Sequence, residues 1–404
     1  MMSSWWKLGK IAPAIMVSVA AANFVLCFCS RDWLAFRTWE VATSVESPGG
    51  AGPFQPEQRI EIERAYGDLA GLGNLRKFRE YRREEFQTDR FGFRNAGLDA
   101  RKEFAGFVIG DSFVAGGALS DSDTLAVRLS RKAGVQFYNA GGDKACLANA
   151  EAASSILKLS SGVAIYVLLE RTALSVPGQI SDSRADCIPA RAANRARWQV
   201  PAVFPGNQQA ELFLSDHSPG VILSRNIVKE LQNDVWVPNP YASAVIPRKL
   251  ENGDGMLFYP EEFAKPGNPA LVAEKWRTFL AEFSARLAKN NVRTVVVLVP
   301  NKATVYGGML QPGFDDFHGG ELLDQIETEL RRAGISAVNL TKVFQSAARD
   351  RVANRDYIYW RDDTHWNPEG VQIAADSIWA DLREMAIPSA IGQSSAEIAQ
   401  TTNR

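Results

Sequence analysis

The alternation of short apolar runs with amphipathic stretches predicts an α/β protein, a parallel sheet sandwiched between helices in three layers. Two observations carry this. From Phe104 onward the runs Phe107-Val108-Ile109, Val135-Gln136-Phe137-Tyr138, Val163 to Leu169, Thr294 to Val299 and Ile335 to Leu340 are each closed by Gly, Asn or a polar cluster. Mostly β-branched runs with little polar alternation fit strands covered on both faces. Between them lie stretches of helical spacing: Leu125 to Lys132, Leu322 to Arg332 and Val371 to Leu382. The clearest follows Asn268-Pro269, an N-cap and an N1 proline, with Val272, Trp276, Phe279, Leu280, Phe283 and Leu287 spaced mostly three and four apart. Strands alternating with helices build a parallel sheet whose functional edge lies at the strand C-termini.

With 404 residues, 46% of them hydrophobic, the chain can bury a large core. Lys+Arg 45 against Asp+Glu 46 leaves a net charge of -1. No basic excess points to nucleic acid, so none is expected as a partner. The first thirty residues differ in kind. Lys7 and Lys10 precede an apolar run from Ile11 to Cys29, closed by Arg31-Asp32, about one bilayer thickness of helix. The lysines place the N-terminus in the cytoplasm and the body outside. Residues 1–32 are therefore expected to be a cytoplasmic stub and a single-pass inner-membrane anchor, with the body in the periplasm. A cleaved signal ending near Ala20-Ala21-Ala22 is the rival, but the run is longer than a usual signal core. Neither Cys27 nor Cys29 follows the small residues that lipidation requires. Cys146 and Cys187 are free to pair in an oxidising compartment, and their spacing leaves both the disulfide and two separate thiols open. There is no CxxC, and His217, His318 and His365 stand far apart, so neither a zinc site nor a cofactor is expected.

Residues 33–85 read as linker and lead-in: Ser47-Pro48-Gly49-Gly50-Ala51-Gly52-Pro53 breaks the chain, and Arg59 to Phe86 is dense in Arg and Glu, as a solvated, salt-bridged face would be. The α/β domain is expected over 86–386. An insertion at about 175–260 carries Trp198, Phe204, Phe213, Trp236 and Tyr241 without clear periodicity, aromatics that would pack it onto the main domain. The tail at 387–404 is polar and expected to be disordered.

Gly110-Asp111-Ser112 stands just past a buried strand and ahead of a loop and helix. A serine at such a turn is exposed at the sheet edge, its N–H can face a developing oxyanion, and the helix N-terminus adds a favourable field. Asp111-Ser112 reads equally as an ordinary N-cap. The far end of the chain favours the nucleophile: Trp360-Arg361-Asp362-Asp363-Thr364-His365-Trp366-Asn367-Pro368 leads into the last helix. A carboxylate two or three residues before a histidine holds the imidazole while its other nitrogen takes a serine proton. Asp362 and Asp363 both satisfy that spacing.

These blocks resemble the SGNH-hydrolase superfamily, and within it the AlgX/AlgJ group of periplasmic alginate O-acetylation proteins. Asp363-Thr364-His365-Trp366 is similar to that group's Asp-x-His-Trp, Pro300-Asn301-Lys302 with Tyr306 to its Pro-x-Lys segment followed by Tyr, and Gly92-Phe93-Arg94 to the Gly-Phe-Arg that often precedes these domains. The resemblance implies a flavodoxin-like SGNH domain with Ser112 as nucleophile, His365 as base and Asp363, with Asp362 as the alternative, as its orienting acid. It implies an oxyanion site from the N–H of Ser112 and of Gly141 or Gly142. Glu170-Arg171 replaces the superfamily's Gly-x-Asn-Asp, with Arg171 either serving oxyanion or substrate or locking the strand end in an ion pair. Ser112 precedes Asp-His in the usual SGNH order, the reverse of the order for which the alginate-type proteins are known. The implied activity is serine-dependent O-acetyl transfer onto an exported or cell-surface polysaccharide. A membrane-bound partner would supply acetyl; a carbohydrate acetylesterase and a non-catalytic export scaffold are the alternatives.

Overall fold

The computed structural model describes residues 51–54, 56–95, 103–142, 147–159, 161–175, 177, 242–264, 267–311 and 319–384, with a few isolated positions besides. The strands are β1 (Arg59–Ala65), β2 (Arg82–Gln87), β3 (Phe104–Ile109), β4 (Gln136–Asn139), β5 (Gly162–Leu169), β6 (Ile246–Lys249), β7 (Gly255–Phe258), β8 (Val292–Val299) and β9 (Ser336–Asn339). The helices are α1 (Asp68–Leu72), α2 (Ser112–Ala115), α3 (Leu125–Ala133), α4 (Leu147–Leu157), α5 (Glu170–Ala173), α6 (Pro269–Ala288), α7 (Lys302–Tyr306), α8 (Glu321–Arg332), α9 (Thr341–Val352) and α10 (Pro368–Glu384).

Five strands pair in the order β4-β3-β5-β8-β9, all parallel. β5 and β8 stay in register over their whole length, from Gly162 opposite Val292 to Leu169 opposite Val299. Alternate residues enter different cores: Val163, Ile165, Val167 and Val295, Val297, Val299 face α3, α9 and α10. Ala164, Tyr166, Leu168 and Val296, Leu298 face α4, α6 and α8. Covered on both sides, these strands need no polar alternation, which is why their sequence reads as unbroken apolar runs. The Asn268 side chain caps α6 by accepting from Leu271 N–H, with Pro269 at its first position. Val272, Trp276, Leu280, Phe283 and Leu287 form its buried stripe.

The chain leaves β3 for β4 on one side and returns to β5 on the other. Successive crossovers part at this point, the place beyond the C-terminal ends of β3 and β5 where open α/β sheets bind ligands. Ser112 and Arg171 stand on the turns that leave those two ends.

The expected lead-in is more than a solvated face. β1 and β2 form an antiparallel hairpin with α1 between them, and Ile60, Ile62, Ala65 and Phe86 bury with Phe54 against Ala115 of α2. Arg83 stays on the exposed side with Glu61, Glu63 and Glu85; Arg82 turns inward. Within the expected insertion, β6 and β7 form a second hairpin, from which Met256 and Phe258 enter the main core. The rest of that insertion, including Trp198, Phe204, Phe213, Trp236 and Tyr241, lies outside the described residues, as do Cys146, Cys187, the 387–404 tail and all but isolated positions of the apolar run at 11–29. Among the described residues no helix is long and apolar enough to cross a membrane.

The Gly-Phe-Arg segment braces the turn that carries Ser112. Gly92 takes a left-handed φ of 81°, turning the chain so that Phe93 enters the core and Arg94 lies beneath α2. Arg94 is 2% exposed and donates to the carbonyls of Glu85 (2.7 Å), Ala115 (3.2 Å), Gly116 (2.5 Å) and Leu119 (2.6 Å) and to Asp121 Oδ1 (2.7 Å). Burial pushes the Asp121 carboxyl upward against this pairing. Arg94→Met removes the cation paired with that buried carboxylate and a donor from each of four carbonyls, so denaturant unfolding is expected to show a loss of about 3–5 kcal/mol. A loss within the scatter of surface substitutions, about 0.5 kcal/mol, would contradict this bracing role.

Candidate active site

Ser112 opens α2, and Asp111 caps it by accepting the Phe113 N–H at 3.0 Å. The cap reading of Gly-Asp-Ser is therefore seen at Asp111, and Ser112 stands as the first residue of the helix that Asp111 caps. The Ser112 hydroxyl lies 2.8 Å from His365 Nε2, across 253 residues of sequence. His365 Nδ1 lies 2.6 Å from Asp363 Oδ1, which also accepts the His365 backbone N–H at 2.9 Å. A carboxylate only accepts, so the neutral ring carries its proton on Nδ1 and leaves Nε2 free to receive the serine proton. The imidazole is 5% exposed, packed 4.8 Å from the Phe113 ring. Phe113 in turn sits edge-on to Trp366 and Tyr359. Gly117 closes the other side, where a Cβ would stand 2.7 Å from His365 Nε2.

Of the two aspartates, Asp363 is the one whose carboxylate meets the His365 ring. Asp362 points elsewhere, its Oδ2 accepting the N–H groups of Gly67 (2.7 Å) and Glu80 (2.8 Å) and its Oδ1 accepting from Arg82 Nη1 (3.0 Å). Asp363 Oδ2 accepts from Asp68 N–H (2.8 Å) and Arg82 Nη2 (3.2 Å). Asp68 answers by accepting the Thr364 N–H and hydroxyl, both at 2.8 Å. Burial opposes the charge on Asp363, yet His365 and Arg82 outweigh it and hold the carboxyl well below the usual range. Burial, together with the neighbouring Asp363 charge, pushes Asp362 upward despite Arg82. Lys302 is 1% exposed and donates to the carbonyls of Asp363 (2.6 Å) and Trp360 (3.1 Å), fixing the loop from below. Burial lowers its ammonium against the pull of Glu262.

Two expectations require correction. The Gly141 N–H donates to Asn139 Oδ1 at 2.9 Å and the Gly142 N–H to the Gly110 carbonyl at 3.1 Å, so neither is free for an oxyanion. Ser112 differs: among the described residues its N–H meets no acceptor. Among the described residues, Arg171 makes no ion pair that would lock the strand end. Glu170 does that work instead, accepting from Asn301 N–H (2.8 Å), Thr304 Oγ1 (2.6 Å) and Gly320 N–H (2.9 Å). Burial raises its carboxyl. The Arg171 guanidinium lies over the Phe113 ring at 5.5 Å and the Tyr259 ring at 6.0 Å, beside the helix that carries Ser112. Oxygen and nitrogen atoms of Asp68, Asp363 and His365 gather within 4.8 Å of one another, but each residue is already engaged within the protein.

Sequence reasoning missed Arg82, Asp68 and Gly117. The first two stand in a segment whose Arg and Glu content is that of a solvated surface, and their partners lie some 280 to 296 residues away. Asp363→Asn removes the charge that selects the reactive tautomer and is expected to lower kcat by about 10⁴-fold, while Asp362→Asn, which leaves the imidazole contact in place, costs far less. Steady-state kinetics on both variants decides; equal losses would undo the assignment to Asp363. Gly117→Ala drives a methyl into the imidazole, and a misplacement of about 1 Å costs about 10²-fold in rate. Unaltered kcat in a folded Gly117→Ala protein would show that His365 need not hold this position.

Residues 251–403 match the family described as SGNH hydrolase-like domain, acetyltransferase AlgX. The matched range contains Lys302, Asp362, Asp363 and His365, and Ser112 lies before it. The chain is 25% identical over 166 residues to the probable alginate O-acetylase AlgJ of Azotobacter vinelandii, covering 40% of each chain. It is 27% identical over 162 residues to the probable alginate O-acetylase AlgJ of Pseudomonas aeruginosa, covering 39% of each. The matches thus span about two fifths of the length of these curated relatives. Among solved structures, LAE5, an α/β hydrolase enzyme from the metagenome of Lake Arreo, Spain, aligns over 70% of this chain and 96% of its own at 14% identity, with a TM-score of 0.31. With its Gly-Asp-Ser and Asp-x-His-Trp blocks meeting at one edge of a parallel sheet, the chain resembles the SGNH-hydrolase-like superfamily and, within it, the AlgX/AlgJ-type group.

Proposed function

We propose that this protein is a serine-dependent acyl-transfer enzyme that places acetyl groups on an exported or cell-surface polysaccharide through an acetyl-Ser112 intermediate. The observation that carries the reading is the continuous relay from Ser112 Oγ through His365 to Asp363, 2.8 Å and 2.6 Å long, at the half-buried start of α2.

His365 Nε2 takes the Ser112 proton as Oγ attacks the acetyl carbonyl of a donor ester. The tetrahedral intermediate collapses, the donor oxygen leaves with the proton from His365, and acetyl-Ser112 remains. A sugar hydroxyl then attacks the acyl carbonyl and gives its proton to His365, and as the acetyl ester departs His365 passes that proton to Ser112 Oγ. The Ser112 N–H at the helix start is available to the oxyanion, a donor worth about 10²- to 10³-fold in such sites. The Arg171 cation beside Phe113 adds positive charge near the same edge. With water in place of the sugar hydroxyl, the same residues make an acetylesterase.

Transfer outside the cytoplasm needs acetyl delivered from within, because acetyl-CoA is a cytoplasmic metabolite. An inner-membrane anchor at 11–29 with a periplasmic body, beside a membrane partner that hands acetyl groups outward, fits this need by raising the local concentration of donor and enzyme. The names of the AlgJ relatives agree with a polysaccharide acceptor.

The full chain supplied with a chromogenic acetyl ester and a soluble polysaccharide should release the chromophore and acetylate the glycan, and Ser112→Ala should lower both by at least about 10³-fold. Mass spectrometry of the glycan separates transfer from hydrolysis. Undiminished turnover in Ser112→Ala would sink the mechanism.

A further inference from the structure

Arg82 stands on β2, ahead of the sheet in sequence, yet its guanidinium lies between Asp362 and Asp363. Its side chain is 9% exposed. Nη1 reaches Asp362 Oδ1 at 3.0 Å, Nη2 reaches Asp363 Oδ2 at 3.2 Å and Nε reaches Glu84 at 3.3 Å, while the guanidinium lies over the Trp360 indole at 4.3 Å. Two adjacent carboxylates, 0% and 1% exposed, repel one another unless a cation stands between them. A planar fork that takes one oxygen of each also sets their rotation. Held by Oδ2, Asp363 has Oδ1 left for His365 Nδ1; held by Oδ1, Asp362 keeps Oδ2 for Gly67 and Glu80 and is turned away from the ring.

The other charged groups around this loop do not duplicate the task. Lys302 touches the Asp363 backbone carbonyl rather than its carboxylate. Arg361 pairs with Glu80 and Asp254, and Asp68 is an acceptor for Thr364. Among the described residues, Arg82 alone is a cation in contact with both carboxylates. We infer that Arg82 is a positioning residue of the acyl-transfer site, selecting which aspartate orients His365, and that the β1-β2 hairpin is a built part of that site. This rests on the acyl-transfer reading of Ser112.

The test compares the full chain with its Arg82→Met and Arg82→Lys variants in acetyl-ester turnover and in substrate-free proton NMR. The short Nδ1–H···Oδ1 bond gives a far-downfield resonance, identified by its loss in His365→Ala. In Arg82→Met, kcat should fall about 10²-fold with KM changed less than about threefold, because orientation and not binding is lost, and the downfield resonance should broaden or vanish. Arg82→Lys keeps the charge without the fork and should fall between, about tenfold below the parent with the resonance retained. A role confined to stability would lower the melting temperature and leave the kcat of the folded protein and the resonance untouched; that result overturns the proposal. If Arg82→Met does not fold, Arg82→Lys decides, and parental kcat in it overturns the proposal equally. The resonance needs no substrate, so loss of the resonance in Arg82→Met alongside an active Ser112→Ala would support Arg82 as the element that positions His365 and refute the acyl-transfer reading alone.

Discussion

Two ionisable carboxylates side by side in one buried turn constrain everything near them. Asp362 and Asp363 lose nearly all contact with water, and an uncompensated charge in such a place costs several kcal/mol. The protein answers with Arg82 and three backbone N–H groups, from Gly67, Asp68 and Glu80, all delivered by the β1-β2 hairpin and the helix within it. The hairpin is needed because the loop cannot satisfy its own charges. Once Asp363 is held at Oδ2, its other oxygen fixes the imidazole, and the imidazole fixes Ser112.

Topology then brings Ser112 to that loop. β3 and β5 carry the chain away in opposite directions at the switch point, and the cap by Asp111 starts α2 there. Arg94 holds the end of α2 from below through the Ala115 and Gly116 carbonyls, and Glu170 ties the end of β5 to the loop after β8. Each brace is a single buried charged side chain whose hydrogen-bonding capacity is spent on loop backbone and nearby side chains. Such an arrangement spends stability on precision, since every brace is costly to bury and more costly to remove.

The sheet was legible because burial on both faces leaves a simple trace, runs such as Val163 to Leu169 without polar alternation. The meeting of Ser112 and His365 was legible because the two motifs are complementary and each stands where the chain enters a helix. Which of Asp362 and Asp363 meets the imidazole was not contained in spacing, since both lie within reach of a histidine on one turn, and the cation that contacts both carboxylates, Arg82, stands 280 residues away. The availability of Gly141 and Gly142 was equally hidden, because their N–H groups are consumed by Asn139 Oδ1 and the Gly110 carbonyl. Composition misled at Arg59 to Phe86 for a related reason: Arg82 and Arg83 are neighbours of one kind, and only the strand's alternation sends one to the carboxylates and the other to solvent.

The central claim is that one serine, activated by one histidine, is the nucleophile. Stoichiometric reaction of the full chain with a serine-directed fluorophosphonate, followed by peptide mapping, tests it most directly. The account predicts one adduct per chain, on Ser112, with labelling slowed by orders of magnitude in His365→Ala. An adduct on any other residue, or equal labelling rates in the parent and His365→Ala, would contradict it.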